Sequence, residues 1–251
     1  MKQLRAFSII ALVLGSAGIA SGQTSYTWAL PQDGVWGIPE NWSPANVPDA
    51  TAEAAILNGP GPYTVSLFQH LGGISSLTIE DSAVSLAIES GGHLGVGWML
   101  NNGLIRMKAE SGSTPARLYF YVGLTLSGDG ELRMEGDVLR PTIGSEVPFT
   151  NVAPHRITGA GVIDAGFVND SLMSANLPGK RLSLLSSINT NNSVMQAENS
   201  GILEFDNCYV GQGPDGVIAR MAATSSLSDR RSSTTADWSP RTAHSWRIRP
   251  I

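Results

Sequence analysis

The stretch from Ile74 to Met107 constrains the fold more than any other. It reads ISSLTIEDSAVSLAIESGGHLGVGWMLNNGLIRM. Leu77 and Ile79 flank Thr78. Val84, Leu86 and Ile88 alternate with Ser85 and Ala87. Leu94 and Val96 flank Gly95, and Leu104 opens a further run. Alternation with period two marks a strand with one buried face. Ser, Gly, Asn and Asp cut these runs too short for helices. The same texture persists to about residue 220. A chain with 28 Gly, 14 Pro and only 15% charged residues fits a turn-rich β protein better than a helical one.

From Gly103 onward a phrase returns, a glycine followed by alternating residues. It begins at Gly103, Gly130, Gly161, Gly201 and Gly216. Glycine there supplies a bend, either through positive φ or through close backbone approach. The spacing is irregular, which suits a degenerate solenoid whose turns tolerate insertions. The expected fold is therefore all-β, a right-handed parallel β-helix over about residues 50–223. Seven or eight coils of roughly 20–25 residues would fill that length. A β-sandwich or jelly roll is the structural alternative. Leu77, Ile79, Leu86, Ile88, Leu104, Leu132, Ile163, Leu203, Phe205 and Ile218 are expected to point inward.

The chain divides into four parts. Residues 1–22 read as a secretory signal. Lys2 and Arg5 precede an apolar run from Ala6 to Ala20, and Ala20-Ser21-Gly22 offers small residues for cleavage before Gln23. The run is short for a membrane span of about 20 residues, and no later stretch matches it, so a mature chain without a span is expected. Residues 23–67 form a Trp- and Pro-rich segment, with Trp28, Trp36 and Trp42 among four prolines. These rings either plug the open end of a β stack or form a platform for sugars; the plug is preferred, because a terminal coil exposes apolar surface and strand edges. Residues 68–223 are the body of the helix. In residues 224–251 Ser, Thr and Arg take over and glycine is absent. This tail is not expected to form a coil; the rival reading folds Trp238 and Trp246 over the last coil as a cap.

Tyr26-Thr27-Trp28, Glu40-Asn41-Trp42-Ser43-Pro44, Val47-Pro48-Asp49, Ala55-Ile56-Leu57, Tyr63-Thr64-Val65 and Ser76-Leu77-Thr78-Ile79 follow one another in a recognisable order. This opening resembles that of secreted bacterial proteins built from autotransporter-type β-strand repeats, many of them in the exosortase-sorted, PEP-CTERM class. The resemblance is close over about residues 26–110 and stylistic beyond. It implies secretion and a right-handed parallel β-helix, and it brings no catalytic residues.

Residues 23–223 carry 9 basic and 19 acidic side chains. Such a balance disfavours nucleic acid as a partner. Polysaccharide or other cell-surface components are the expected partners. Cys208 is the only cysteine, so no intrachain disulfide forms, and the expected role is a small buried hydrophobe. His70, His93, His155 and His244 show no metal-ligand spacing, and no cofactor motif occurs; no metal or cofactor is expected. Asp129-Gly130 reads as a turn. Glycosidic acid–base cleavage needs two carboxylates about 5–10 Å apart. Asp164, Asp170, Glu204 and Asp206 are the outward candidates, with Arg133 or Arg156 to neutralise a uronate. Nothing pairs them in sequence. The preferred reading is a secreted, non-catalytic structural or surface-interaction solenoid with no catalytic, cofactor or metal residues. A carbohydrate-active β-helix enzyme, or a glycan-binding module using exposed aromatics, is the alternative.

Overall fold

The computed structural model describes residues 23–136, 138–186, 188–220 and 246–247. The signal segment, His244, Trp238 and nearly all of the tail lie outside the described residues.

Three short strands recur in each coil and stack into three faces. Face one holds Thr24–Trp28, Glu53–Leu57, Ile74–Ile79, residues 96–101, Thr125–Ser127, residues 149–152, residues 167–170, Asn189–Asn191 and Val210–Gln212. Face two holds Gly34–Val35, Tyr63–Leu67, Val84–Ile88, Leu104–Lys108, Glu131–Glu135, residues 156–160, residues 172–175, Val194–Ala197 and Val217–Arg220. Face three starts with a bridge between His70 and His93. It continues through residues 93–96, Arg117–Phe120, Thr142–Ser145, residues 162–164, Arg181–Leu184 and Ile202–Phe205. Pairing between successive coils is parallel throughout. The molecule is thus a parallel β-solenoid of about eight turns. A sandwich or jelly roll would need antiparallel sheets. Glu53–Leu57 and Tyr63–Leu67 are full members of the ladder, within the span of about 50–223 expected for the helix.

Coil length varies where corners carry loops. Leu100 sits opposite Thr78, 22 residues on; Ser127 sits opposite Leu100, 27 on; Asp170 sits opposite Val152, only 18 on. The five phrase glycines all have φ outside the left-handed range. Close approach is the reason for them. A Cβ on Gly103 would lie 2.2 Å from the Val84 carbonyl oxygen, and one on Gly130 2.3 Å from that of Gly103.

The core is a stack of inward side chains. Leu77, Ile79, Leu86, Ile88, Leu132, Ile163 and Leu203 are buried, as expected; Phe205 and Ile218 pack partly buried against the core near its last coil. Leu104 is a correction. It points outward, and Ile105 and Met107 fill the interior. Arg106 explains the phase: a guanidinium on the outside forces its two neighbours in.

One inward column changes character along the axis. On face one Ala55, Leu77, Met99 and Leu126 stand in register with Asn151, Asn169, Asn191 and Gln212. The upper half of this column is apolar and the lower half is amide. Asn151 Nδ2 donates to Asn169 Oδ1 at 2.9 Å, Asn169 Nδ2 to Asn191 Oδ1 at 2.9 Å, and Asn191 Nδ2 to Gln212 Oε1 at 3.1 Å. The amides also donate to the carbonyls of Leu172, Ser171, Val194, Ser193 and Val217, where the chain turns into face two. Buried polar groups of this kind are tolerated because they are bonded.

At the first coil the three tryptophans are buried. Trp42 meets Trp28 and Trp36 edge-on, with centroids 5.0 and 4.8 Å apart. Each indole N–H has a carbonyl partner: Gln32 for Trp28, Pro48 for Trp36, Trp36 for Trp42. They plug the stack and offer no face to a sugar. At the other end Trp246–Arg247 runs antiparallel to Ile202–Phe205, opposite Phe205 and Glu204.

Candidate functional site

Face two carries the densest polar chemistry, because its outward positions hold long charged side chains on adjacent rungs. Arg106 binds Glu135 through Nε and Nη2, both at 2.9 Å. Arg133 binds Glu131 in the same two-pronged way at 3.0 Å. Lys108 lies 2.8 Å from Glu89, and Arg156 lies 4.0 Å from Glu131. Thr158 also donates to Glu131. Burial opposes the charge on Glu131. Hydrogen bonds from Arg133 and Thr158, with the charges of Arg133 and Arg156, outweigh it and hold the carboxyl below its usual range. Glu131 is therefore an anion under ordinary conditions and no proton donor. Sequence reasoning singled out Arg133 and Arg156 but missed this carboxylate between them.

A cleft of about 560 Å³ opens at the corner between faces two and three. Arg133, Glu135 and Gly136 line one side; Asn176, Leu177, Pro178 and Lys180 line the other. Its origin lies in coil length. The 18-residue coil turns this corner at Gly161, whose Cβ, if present, would strike Met134 at 2.2 Å. No loop fits there. The coils on either side carry loops at the same corner, at 136–141 and 176–180, and a recess lies between them.

The four outward carboxylates are not gathered. Asp170 is on face one, where Asn192 Nδ2 donates to it at 2.7 Å. Asp164, Glu204 and Asp206 are on face three. Asp164 and Asp206 are exposed and sit two rungs apart, roughly 10 Å at about 4.8 Å per rung, with Leu185 on the rung between. Glu204 accepts from Ser183 at 2.7 Å and from Arg181 at 3.3 Å. Arg133 and Arg156 stand on face two, so the arginines proposed for a uronate and the acids proposed for its cleavage occupy different faces.

The remaining candidates are also placed. Cys208 is half-buried, and burial pushes its thiol up to about 11, which keeps it protonated and unreactive. Asp129 is a turn residue whose N–H donates to Asn102. His70 and His93 meet edge-on with Nδ1 atoms 2.8 Å apart. Burial, then His70 and Arg117, hold His93 below its ordinary value. No group of three or more His, Cys, Asp or Glu suited to a metal occurs among the described residues. His155 is buried inside the solenoid. The exposed aromatics do not form a platform: Phe68 follows a face-two strand, Trp98 is on face one, and Tyr209 precedes the last face-one strand. Tyr121 lies across Gly73, Gly95 and Gly97 and donates to the Ile74 carbonyl.

No family model, curated protein or solved structure matches the chain. No helix among the described residues is long and apolar enough to cross a membrane.

Proposed function

We propose that the protein is an exported, non-catalytic structural or surface-interaction solenoid of the autotransporter-repeat type. One observation carries the reading. The polar groups that would serve chemistry are spent on holding coil to coil: Glu135, Glu89 and Glu204 in ion pairs, Glu131 through Arg156 and Thr158 of the next coil, and the inner asparagines in a bonded column. The exposed carboxylates Asp164 and Asp206 stand on face three, away from Arg133 and Arg156 on face two. Export rests on the signal-like residues 1–22 and on the resemblance of residues 26–110.

Two measurements test this. Purified protein incubated with polyuronates and with neutral glycans should release no shortened or unsaturated products, and Asp164→Asn and Asp206→Asn should behave like the parent. Product formation abolished by either substitution overturns the non-catalytic reading. Expression in a bacterial host with residues 1–22 intact should yield protein outside the cytoplasm that begins at Gln23; retention inside, uncleaved, overturns export.

A further inference from the structure

The acidic body concentrates its cations on one stripe. Of the nine basic residues in 23–223, Arg106, Lys108, Arg133, Arg156 and Arg220 stand on face two. Arg140, Lys180 and Arg181 follow at the corner into face three. Within that stripe Arg106 and Arg133 are direct partners on adjacent rungs. Like charges directly opposite one another in a ladder are destabilising. Each is offset by its own carboxylate, but only through Nε and Nη2; Nη1 of either arginine donates to no group among the described residues. Both side chains remain 40% exposed. Arg133 forms part of the cleft wall with its Nη1 uncommitted among the described residues, while Arg106 stands on the rung before it and outside the lining.

We propose that this cleft binds an anionic saccharide, with a uronate carboxylate held by Arg133. The proposal rests on the surface-interaction reading above and names its ligand class. Guanidinium and carboxylate are matched in shape as well as charge. The 560 Å³ volume lies within the range of about 300–1,000 Å³ usual for small-ligand sites. Leu177 and Pro178 present apolar surface for the C–H face of a sugar ring, and Asn176 presents an amide for its hydroxyls. Lys180 adds positive charge on the far wall. Because Glu131 and Glu135 already offset the arginines, attraction is short-ranged and falls as salt rises.

Titration calorimetry with a short oligogalacturonate and its methyl-esterified counterpart tests the assignment. The charged oligomer should bind, and the esterified one, equal in length and lacking the charge, should bind at least about tenfold more weakly. Arg133→Gln should weaken binding of the charged oligomer by a similar factor and Arg133→Lys by less. Should Arg133→Gln fail to fold, Lys180→Gln on the opposite loop supplies the comparison, with a several-fold loss expected. Equal binding of both oligomers, no binding of either, or undiminished binding by the folded variant overturns the proposal. Absence of binding without cleavage leaves the non-catalytic reading standing. Cleavage of the oligomer overturns that reading while leaving the ligand class intact.

Discussion

His155 Nδ1 lies 3.0 Å from Asn151 Oδ1, inside the solenoid where neither side chain reaches water. The amide oxygen only accepts, so Nδ1 carries the proton. On the other side Asn101 Nδ2 lies 3.2 Å from His155 Nε2. That amide is oriented by its own bonds: Oδ1 accepts from the Gly103 N–H and Nδ2 donates to the Glu131 carbonyl. Nε2 must therefore accept. The network accommodates only the neutral Nδ1–H tautomer, and a second proton would face a donor.

Stability should therefore fall in acid through His155. Burial, then Arg156, lower its pKa from 6.5 to about 4, while Glu131 pulls the other way. In the unfolded chain the imidazole charges first as the pH drops. The contribution is thus complete above about pH 6.5 and is lost as the pH falls toward about 4. At about 1.4 kcal/mol per unit the loss is on the order of 2 kcal/mol at pH 5. Urea unfolding of the wild type and of His155→Gln at several pH values isolates it. The difference between the two proteins should shrink as the pH falls; a pH-independent difference would exclude His155 as the titrating group.

The amide column should be worth more than a surface asparagine. Asn169 links Asn151, Asn191, Ser171 and Val194. Asn169→Ala leaves several buried partners unsatisfied, each costing about 1–3 kcal/mol, so a loss of about 3–5 kcal/mol is expected. Asn192→Ala removes a half-buried bond to Asp170 and should cost about 1 kcal/mol or less. Equal denaturation midpoints for the two variants would show the column to be energetically idle.

The tryptophan plug should be as important as any core residue. Trp42 sits between two aromatic neighbours and donates to the Trp36 carbonyl at 2.8 Å. Trp42→Ala should cost about 3–5 kcal/mol, the usual range for a buried large aromatic. Protection from hydrogen exchange should fall first in residues 24–67, which the plug covers. Uniform loss along the whole solenoid would mean that the plug does not act locally.

Much of the architecture was legible because each face needs only a few alternating residues. The rest was hidden for identifiable reasons. The phrase glycines gave no regular period because Gly103, Gly130 and Gly216 precede face-two strands, whereas Gly161 and Gly201 precede face-three strands. Intervals counted between faces are not coil lengths. The phase at Leu104 was ambiguous because Leu104 and Ile105 are both apolar; the aligned Glu131 and Leu132 show which position faces out. Asn101, Asn151, Asn169 and Asn191 occupy inward positions that the pattern does not mark. A polar residue at an inward position breaks the alternation by which strands are read. The cleft depends on a coil being short, which shows only once its neighbours are aligned against it.

Glycine at the head of a face-two strand should resist even alanine. In the column through Val84, Gly103 and Gly130, each glycine lies against the carbonyl of the coil before. A Cβ at Gly130 would meet the Gly103 oxygen at 2.3 Å and the Asn101 oxygen at 2.6 Å. Both are backbone atoms, and neither can swing aside as a flexible side chain would. The rung must separate locally. The Gly103 carbonyl oxygen accepts from the Glu131 N–H at 2.9 Å, so displacement loosens a ladder bond as well. Overpacking of this sort costs about 1–3 kcal/mol. Gly123 is the matched control: its φ lies outside the left-handed range, and its nearest contact would be the Pro148 carbonyl oxygen at 3.8 Å. Gly123→Ala should therefore stay within about 0.5 kcal/mol of the parent. Thermal unfolding of the two variants decides the matter. If Gly130→Ala melts with the parent, close approach is not what keeps glycine there.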